Sequence, residues 1–347
     1  MSPATVIRRI CATAPIRICD NGGWTDTWAA RHGKVFNIAV RPPAEIQIDV
    51  FAGGTRDARV VINAANYGTR YAPRLDGSRW GPHPLLEASL LAIPPPQHLD
   101  VEVTVKSEVP AGAATGTSAA VVVALLGALD RLAGAGRSAN EIARAAHAVE
   151  TRQLGRESGV QDQICSATGG INFIDIVNYP HAVVSRVDAA ERTLQELNRR
   201  LVLIYLGRPH SSSAIHRRVM QDLERLGPDC APLAALRRAA EDARDAVAAG
   251  DLEALGRAMR DNTDAQAQLH AGLVHSNARR VIDIAAAHGA VGWKINGAGG
   301  DGGSLTLLCS SQESTKPATI RAITEANATF AAIPISISTH GVCVSEC

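Results

Sequence analysis

The stretch Val109–Leu129, VPAGAATGTSAAVVVALLGAL, decides how the rest of the chain is read. Gly112 and Gly116 bracket Ala113, Ala114 and Thr115; Thr117 and Ser118 follow, and an apolar helix sets in at Ser118. Backbone this poor in side chains, placed directly before a strong helix, admits two readings. One is a tight turn leading into a buried helix. The other is chemical. The first N–H groups of a helix lack intrahelical partners and carry partial positive charge, and glycine lets an anion come close to the backbone. Such a loop cradles phosphate, and Ser118 adds a hydroxyl suited to a magnesium ion. No Gly-Lys-Ser/Thr follows, so this is not the loop of the P-loop fold.

Three further clusters bear on that choice. KINGAGGDGGS, Lys294–Ser304, carries five glycines between two apolar strands. A hairpin needs one or two, so a close backbone approach, to a ligand or to the first loop, is the better reason. VETRQLGRESGVQDQ, Val149–Gln163, holds Glu150 and, twelve residues on, Asp162. Beside a phosphate cradle, two carboxylates suit magnesium binding by one and base catalysis by the other; elsewhere they would be solvated surface charges. APIRICDNGGWTD, Ala14–Asp26, sets Arg17 and Asp26 on either side of the pair Gly22–Gly23. For Arg17 alone a surface role is the default.

Composition excludes several alternatives. A net charge of +1 gives no bulk field to gather nucleic acid or anionic lipid. Aromatics make up 3% and no basic run interleaves them, which argues against a nucleic-acid partner. No run of 18 apolar residues is present, so no membrane-spanning helix is expected, and MSPATVIRRICATAPIRI lacks the apolar core of a signal peptide. Seven scattered cysteines without a C-x-x-C pair make a disulfide framework or a zinc site an unfavoured reading. A reducing, cytoplasmic setting is the expectation. Cys343 and Cys347 are the one pair whose spacing leaves a disulfide or a metal open.

The first hundred residues alternate short apolar runs with turns. TVIRRICA, GKVFNIAV, AEIQIDVFA, ARVVINAA and DVEVTVKSEV read as strands, with Pro42 and Pro43 at a strand entrance. From Ser118 the pattern turns helical. The first helix is apolar nearly all round and therefore buried. The next carries a Ser138/Glu141 capping box and stops at Gly155. GGINFIDI and RLVLIYLG are strands, three or four helices run from about Ser212 to Ala287, and a strand–glycine turn–strand block follows. ATIRAITEANA closes as a helix and AIPISISTHGVCV as a strand. The order fits an α+β protein of two lobes, divided near residue 200.

Taken together and in this order, the clusters resemble the GHMP kinase superfamily, which includes galactokinase, homoserine kinase, mevalonate kinase and phosphomevalonate kinase. PAGAATGTSAA (Pro110–Ala120) stands for its P-x-x-x-G-L-G-S-S-A-A loop, and GAGGDGG (Gly297–Gly303) for its C-terminal glycine motif. Within the superfamily, APIRICDNGGWTD, GVQDQICSATGGINFIDI and YLGRPHSSSAIH are most similar to the sugar-1-kinase and heptose 7-phosphate kinase branch. The similarity covers nearly the whole chain. It implies a two-lobed fold, with a left-handed βαβ, ribosomal-protein-like lobe over 1–199 and a ferredoxin-like lobe over 200–347, and ATP between them. It also implies Asp162 as catalytic aspartate, with Arg17 beside it and the transferred phosphate. Ser118 and Glu150 fall on the magnesium ligands, Pro110 and Gly112–Ser118 on the nucleotide loop. Asp20, Gly22, Gly23, Trp24, Asp26, Gly299 and Gly300 fall on the substrate side.

The chain also departs from that pattern. Ala114–Thr115 replace Gly–Leu and Thr117 replaces Ser; Ala114 is expected to hold an ordinary φ. Asp301 interrupts the glycine run and sets a negative charge near the phosphates. Trp24 stands where galactokinases carry a histidine, which disfavours galactose; it would stack on a sugar or fill the lobe. The resemblance implies ATP- and Mg²⁺-dependent phosphorylation of a sugar or sugar-phosphate hydroxyl, the anomeric one first, by a monomer or homodimer. A cyclitol or other alcohol kinase, or a non-catalytic sugar sensor, is the alternative. A phosphorylated sugar would need a basic anchor, for which Arg208 and His210 are the candidates.

Overall fold

The computed structural model describes residues 5–209 and 213–347, so His210 lies outside the described residues. The N-terminal part is built on β1 (Arg8–Asn21) and β2 (Gly33–Ala52), two long antiparallel strands. β2 pairs with two different strands along its length. Its second half takes β5 (Leu99–Ser107) and its first half β6 (Ile171–Asn178), which in turn carries β7 (His181–Arg186). β3 (Val60–Ala64) lies parallel to β5 and takes β4 (Thr69–Tyr71) on its other edge. A parallel neighbour requires a crossover; here the connection runs through β4 and α1 (Pro84–Ala92).

Two expectations change here. GKVFNIAV and AEIQIDVFA are one continuous strand, with Pro42 and Pro43 in its middle rather than at an entrance. The ladder tolerates them because the β1–β2 register breaks there, between Ala14 and Ile16, where Pro15 sits opposite. The helix α1, PLLEASLLA, was not anticipated. Pro84 opens it where a missing N–H is no loss, and Pro94–Pro96 prevent it from continuing.

Helices cover one face of this sheet. α2 (Thr117–Ala133) is buried on most sides, as its apolar sequence requires, and packs on β1 and β2. α3 (Ala139–Ala148) starts from the Ser138 capping box and passes into a turn of π-helix at Val149–Gln153. α4 (Gln161–Thr168) packs on α2, α3 and β1, and α5 (Glu191–Arg200) leads into the second sheet.

That sheet comprises β8 (Leu201–Tyr205), β9 (Ala290–Ile295), β10 (Ser304–Cys309) and β11 (Ala331–Ile333), all antiparallel. Its order, β11-β8-β10-β9, places the last strand beside the first and the third between first and second. With helices between β8 and β9 and between β10 and β11, this is the ferredoxin-like arrangement. The helices are α6 (Ser213–Leu226), α7 (Ala231–Ala249), α8 (Leu252–Leu269), α9 (Ser276–Ala287) and α10 (Thr315–Ala326).

A division at 199/200 falls just before the first strand of the second sheet, but neither packing nor the C-terminal strands respect it. α7 and α8 lie on β1 and β2, and Ala240, Ala243 and Leu255 belong to the same apolar cluster as Ile18 and Phe36. The segment read as one terminal strand splits as well: after β11 the chain returns to the first sheet as β12 (Ser336–Ile337) on β2 and β13 (Cys343–Glu346) on β1. That return carries Cys347 to Cys11, and the two form a disulfide. The sequence reading had set disulfides aside and considered only Cys343 as a partner; Cys343 is free and exposed. Strand pairing, not spacing along the chain, made the match: the Cys347 N–H donates to the Arg9 carbonyl, two residues from Cys11.

Candidate active site

The phosphate-type loop before α2 owes its shape to alternating backbone signs. Gly112, Ala114 and Gly116 all have positive φ, at 74°, 58° and 68°. Alternation of this kind turns successive N–H groups toward one side and forms an anion-binding concavity. α2 then starts at Gly116 with no side chain capping it, so its first N–H groups remain for a ligand. The expectation of an ordinary φ at Ala114 is overturned: alanine occupies a left-handed position here, which costs roughly 1–2 kcal/mol for a residue with a Cβ. Ala114→Gly is therefore expected to raise the melting temperature and Ala114→Val to lower it; the opposite order would show that the loop is not left-handed at this residue.

Arg17 is the point at which the separate motifs meet. It lies on β1 just before a second register break, between Ile18 and Asn21, where Cys19 also has positive φ. Its backbone N–H donates to the Thr115 carbonyl at 2.9 Å. Its side chain donates from Nε to Asp162 Oδ1 at 2.7 Å, from Nη2 to Oδ2 at 3.4 Å, and from Nη1 to the Ala114 carbonyl. Burial works against the cation, but Asp162 and Asp20 outweigh it and hold the guanidinium above its ordinary value. The glycine turn between β9 and β10 closes onto the same place. A Cβ on Gly297 would stand 3.3 Å from Ala114 and from Arg17, and Ser304 Oγ donates to the Ala113 carbonyl at 2.6 Å. Close approach to the first loop is thus one reason for the glycines.

Asp20, fully buried, ties the two sheets together. It accepts from the Gly297 N–H at 2.9 Å and from Lys294 Nζ at 3.3 Å, and it lies 3.9 Å from Arg17. Lys294, equally buried, also donates to Gln266 Oε1 and to the Ile295 carbonyl. Burial lowers its pKa and Asp20 opposes that shift.

Two cavities open on either side of the Arg17–Asp162 pair. The larger, about 730 Å³, is bounded by the loop from Pro110 through Ser118, by α1 and by Tyr67 and Arg156. The smaller, about 200 Å³, is bounded by Trp24, Asp26, Gln161 and His216 among others. Arg17, Asp162, Gly297 and Ala298 line both. Asp26 is 2% exposed and accepts from the Gln161 N–H at 3.2 Å. Burial, reinforced by Asp162, raises its pKa to about 6. Folded protein therefore holds more protons than unfolded between about pH 4 and 6, and the group's contribution to stability falls as pH rises through that range. Asp26→Asn is expected to stabilise the protein by about 2–3 kcal/mol at pH 7 while reducing turnover, with a flatter stability profile from pH 4 to 6. Unchanged stability at pH 7 would show that the carboxylate is not held buried and ionised.

The description "GHMP kinases N terminal domain" matches residues 85–170, and "GHMP kinases C terminal" matches residues 243–328. The chain belongs to the GHMP kinase family. A mevalonate kinase of Thermococcus onnurineus is 32% identical over 221 residues, 62% of this chain and 61% of that protein. The D-glycero-alpha-D-manno-heptose 7-phosphate kinase of Campylobacter jejuni is 26% identical over 199 residues, 56% of this chain and 58% of that protein. The matches thus span about three-fifths of these curated relatives. Among solved structures, a D-glycero-D-manno-heptose 1-phosphate kinase from Bacteriodes thetaiotaomicron has a TM-score of 0.73 at 20% identity, covering 97% of this chain and 98% of that one; it bears on the fold.

In this member of the GHMP kinase family the residues expected at the site sort into three groups. Arg17, Asp20, Asp162 and the loop around Gly112–Ser118 converge, and Trp24 and Asp26 join them across the smaller cavity. Gly22, Gly23, Gly299 and Gly300 do not line either cavity. They serve backbone packing: a Cβ on Gly22 would stand 1.9 Å from the Lys34 carbonyl, one on Gly299 would stand 2.4 Å from the Leu273 carbonyl, and Gly23 lies against Asp20. Gly300 donates to that same Leu273 carbonyl. Asp301 lies outside both cavity walls. Glu150, in the π-turn, lines neither cavity; it accepts from Gln163 Nε2 at 2.8 Å, and burial raises its pKa. Ser118 lines the larger cavity. Their oxygens, a hydroxyl and a carboxylate, suit magnesium; among the described residues no cluster of three or more His, Cys, Asp or Glu could hold a metal alone.

Lys294, Gln161, Glu157 and His216 were not anticipated. A lysine inside the apolar run VGWKI was the one sequence signal for the first. The others come from loops and a helix that only the fold brings to the cavity.

Proposed function

We propose that this GHMP kinase transfers a phosphoryl group from ATP to a hydroxyl of a sugar or sugar phosphate, with the anomeric hydroxyl as the leading acceptor. One observation carries the reading: a large cavity with a phosphate-type loop and a small polar cavity meet at one ion pair, buried Arg17 with half-buried Asp162, which lines both. Phosphoryl transfer needs positioning and charge neutralisation more than covalent chemistry, and this arrangement offers both.

Magnesium-bound ATP, when present, supplies the transferable phosphoryl group. The N–H groups at Gly112–Ser118 would hold its phosphates and the Ser118 hydroxyl would face the cation, with Glu150, held by Gln163 outside the cavity wall, as the proposed second ligand. Asp162 accepts the proton of the acceptor hydroxyl. Arg17, fixed by Asp162, the Ala114 carbonyl and Asp20, neutralises charge at the point where the cavities join. Asp26 and Gln161 orient the acceptor. ADP release on incubation with Mg-ATP and a panel of free sugars, sugar phosphates and cyclitols tests the proposal. Tight sugar binding with no ADP release from any member would instead make the protein a sensor.

A further inference from the structure

The two cavities differ in charge in a way that bears on which acceptor fits. The charged side chains lining the smaller one are Arg17, Asp20, Asp26, Glu157, Asp162 and His216. Four are carboxylates. Arg17 is the sole arginine or lysine among the described lining residues, and its three nitrogens already face Asp162, the Ala114 carbonyl and Asp20. His216 stacks on Trp24 with ring centroids 5.1 Å apart, and its Nδ1 lies 3.3 Å from Glu157 Oε2. Burial lowers its pKa, against the pull of Glu157, so it adds no fixed positive charge near neutral pH. Arg156 lies on the other side, in the wall of the larger cavity.

Hydrogen bonding points the same way. Carboxylates only accept hydrogen bonds, and so do phosphate and carboxylate groups on a ligand; hydroxyls donate as well as accept. Two buried polar atoms on lining residues have no hydrogen-bond partner among the described residues: Trp24 Nε1, a donor, and Gln161 Oε1, an acceptor. A hydroxyl, donor and acceptor at once, matches both kinds of atom and can also donate to the carboxylates. Among the described lining residues an anionic group would meet acceptors and no uncommitted cation.

We infer that the smaller cavity takes an uncharged polyhydroxy acceptor, a free sugar or cyclitol, and rejects acceptors carrying a phosphate or carboxylate, with Glu157 at its rim as a specificity-determining residue. This rests on the kinase reading above and narrows its substrate class. Glu157 is half exposed and pairs with His216 from α6, so it stands where the distal end of an acceptor would enter.

The test uses matched pairs with the full chain and Mg-ATP: glucose and glucose 6-phosphate, mannose and mannose 6-phosphate, sedoheptulose and sedoheptulose 7-phosphate, with myo-inositol and mevalonate alongside. Each acceptor that turns over is expected to do so with kcat/KM at least about tenfold above its phosphorylated partner, since one added like charge near a partly buried carboxylate is worth that much. Glu157→Lys is expected to raise the phosphate-to-free ratio about tenfold or more, a shift that a merely structural role would not produce. A phosphorylated member or mevalonate that outperforms the free sugars overturns the inference and leaves the kinase reading intact, and so does a ratio unmoved by Glu157→Lys. No ADP release from any member overturns the kinase reading. Calorimetric binding of the same pairs then decides the class: tighter binding of the free sugar upholds the inference, while tighter binding of the phosphate, or no binding at all, overturns it.

Discussion

Replacing Asp162 by asparagine is expected to lower turnover by about 10²–10⁴-fold while nucleotide affinity changes by less than about threefold. The reason is local. The Arg17 Nε bond runs to Oδ1 at 2.7 Å, and an asparagine Oδ1 can still accept it, so the geometry that joins the two cavities survives. What disappears is the group able to take a proton. The proposed nucleotide contacts lie on the loop before α2, whose N–H groups the substitution does not touch. Turnover of the variant against the best acceptor of the panel, with nucleotide binding by fluorescence or calorimetry, separates the two effects. A variant turning over within a factor of ten of the parent would remove Asp162 from the role of base.

The second large effect is on stability. Asp20→Ala is expected to destabilise the protein by about 3–5 kcal/mol at pH 7, because it leaves the buried ammonium of Lys294 without its counter-charge. Arg17 keeps Asp162, but Lys294 keeps only neutral partners, Gln266 and the Ile295 carbonyl. In the variant the folded-state pKa of Lys294 falls further below 10.5, so unfolded protein binds more protons than folded. Stability should then recover as pH rises from 7 toward 10. The double variant Asp20→Ala/Lys294→Met should regain much of the loss, since an absent pair is less costly than half of one. Chemical denaturation at pH 7 and pH 9.5 measures both. A single variant within about 1 kcal/mol of the parent would mean that Asp20 does not hold the glycine turn against β1.

Much of the site could be read before the fold was known, for a definable reason. The loop from Gly112 to Ser118 sits in a short local motif whose chemistry follows from residue type, whereas for Arg17 and Asp162 the roles come from the resemblance of the ordered motifs to the GHMP kinase family, since Arg17 alone reads as a surface residue. Glycine was less informative. Gly22, Gly299 and Gly300 suggested contact with substrate, yet what excludes a side chain at Gly22 and Gly299 is a carbonyl from another part of the chain, Lys34 or Leu273. A requirement for closeness does not say to what. Ala114 erred in the other direction: alanine favours φ below zero, and only the bonds from Arg17 and Ser304 into the loop explain why it is held at +58°.

By itself the sequence determined the α+β order of elements, the buried helix after the loop and the Ser138 capping box. All of these depend on contacts within a few residues or on local periodicity. The tertiary structure decided what depends on distant segments meeting. It joined β2 across Pro42 and Pro43, returned the C-terminus to β1 so that Cys347 meets Cys11, buried Lys294 beside Asp20, and brought Glu157 and His216 to the rim of the smaller cavity. These residues lie up to 336 positions apart, and no pattern along the chain encodes which partner burial will give a charge or a strand edge.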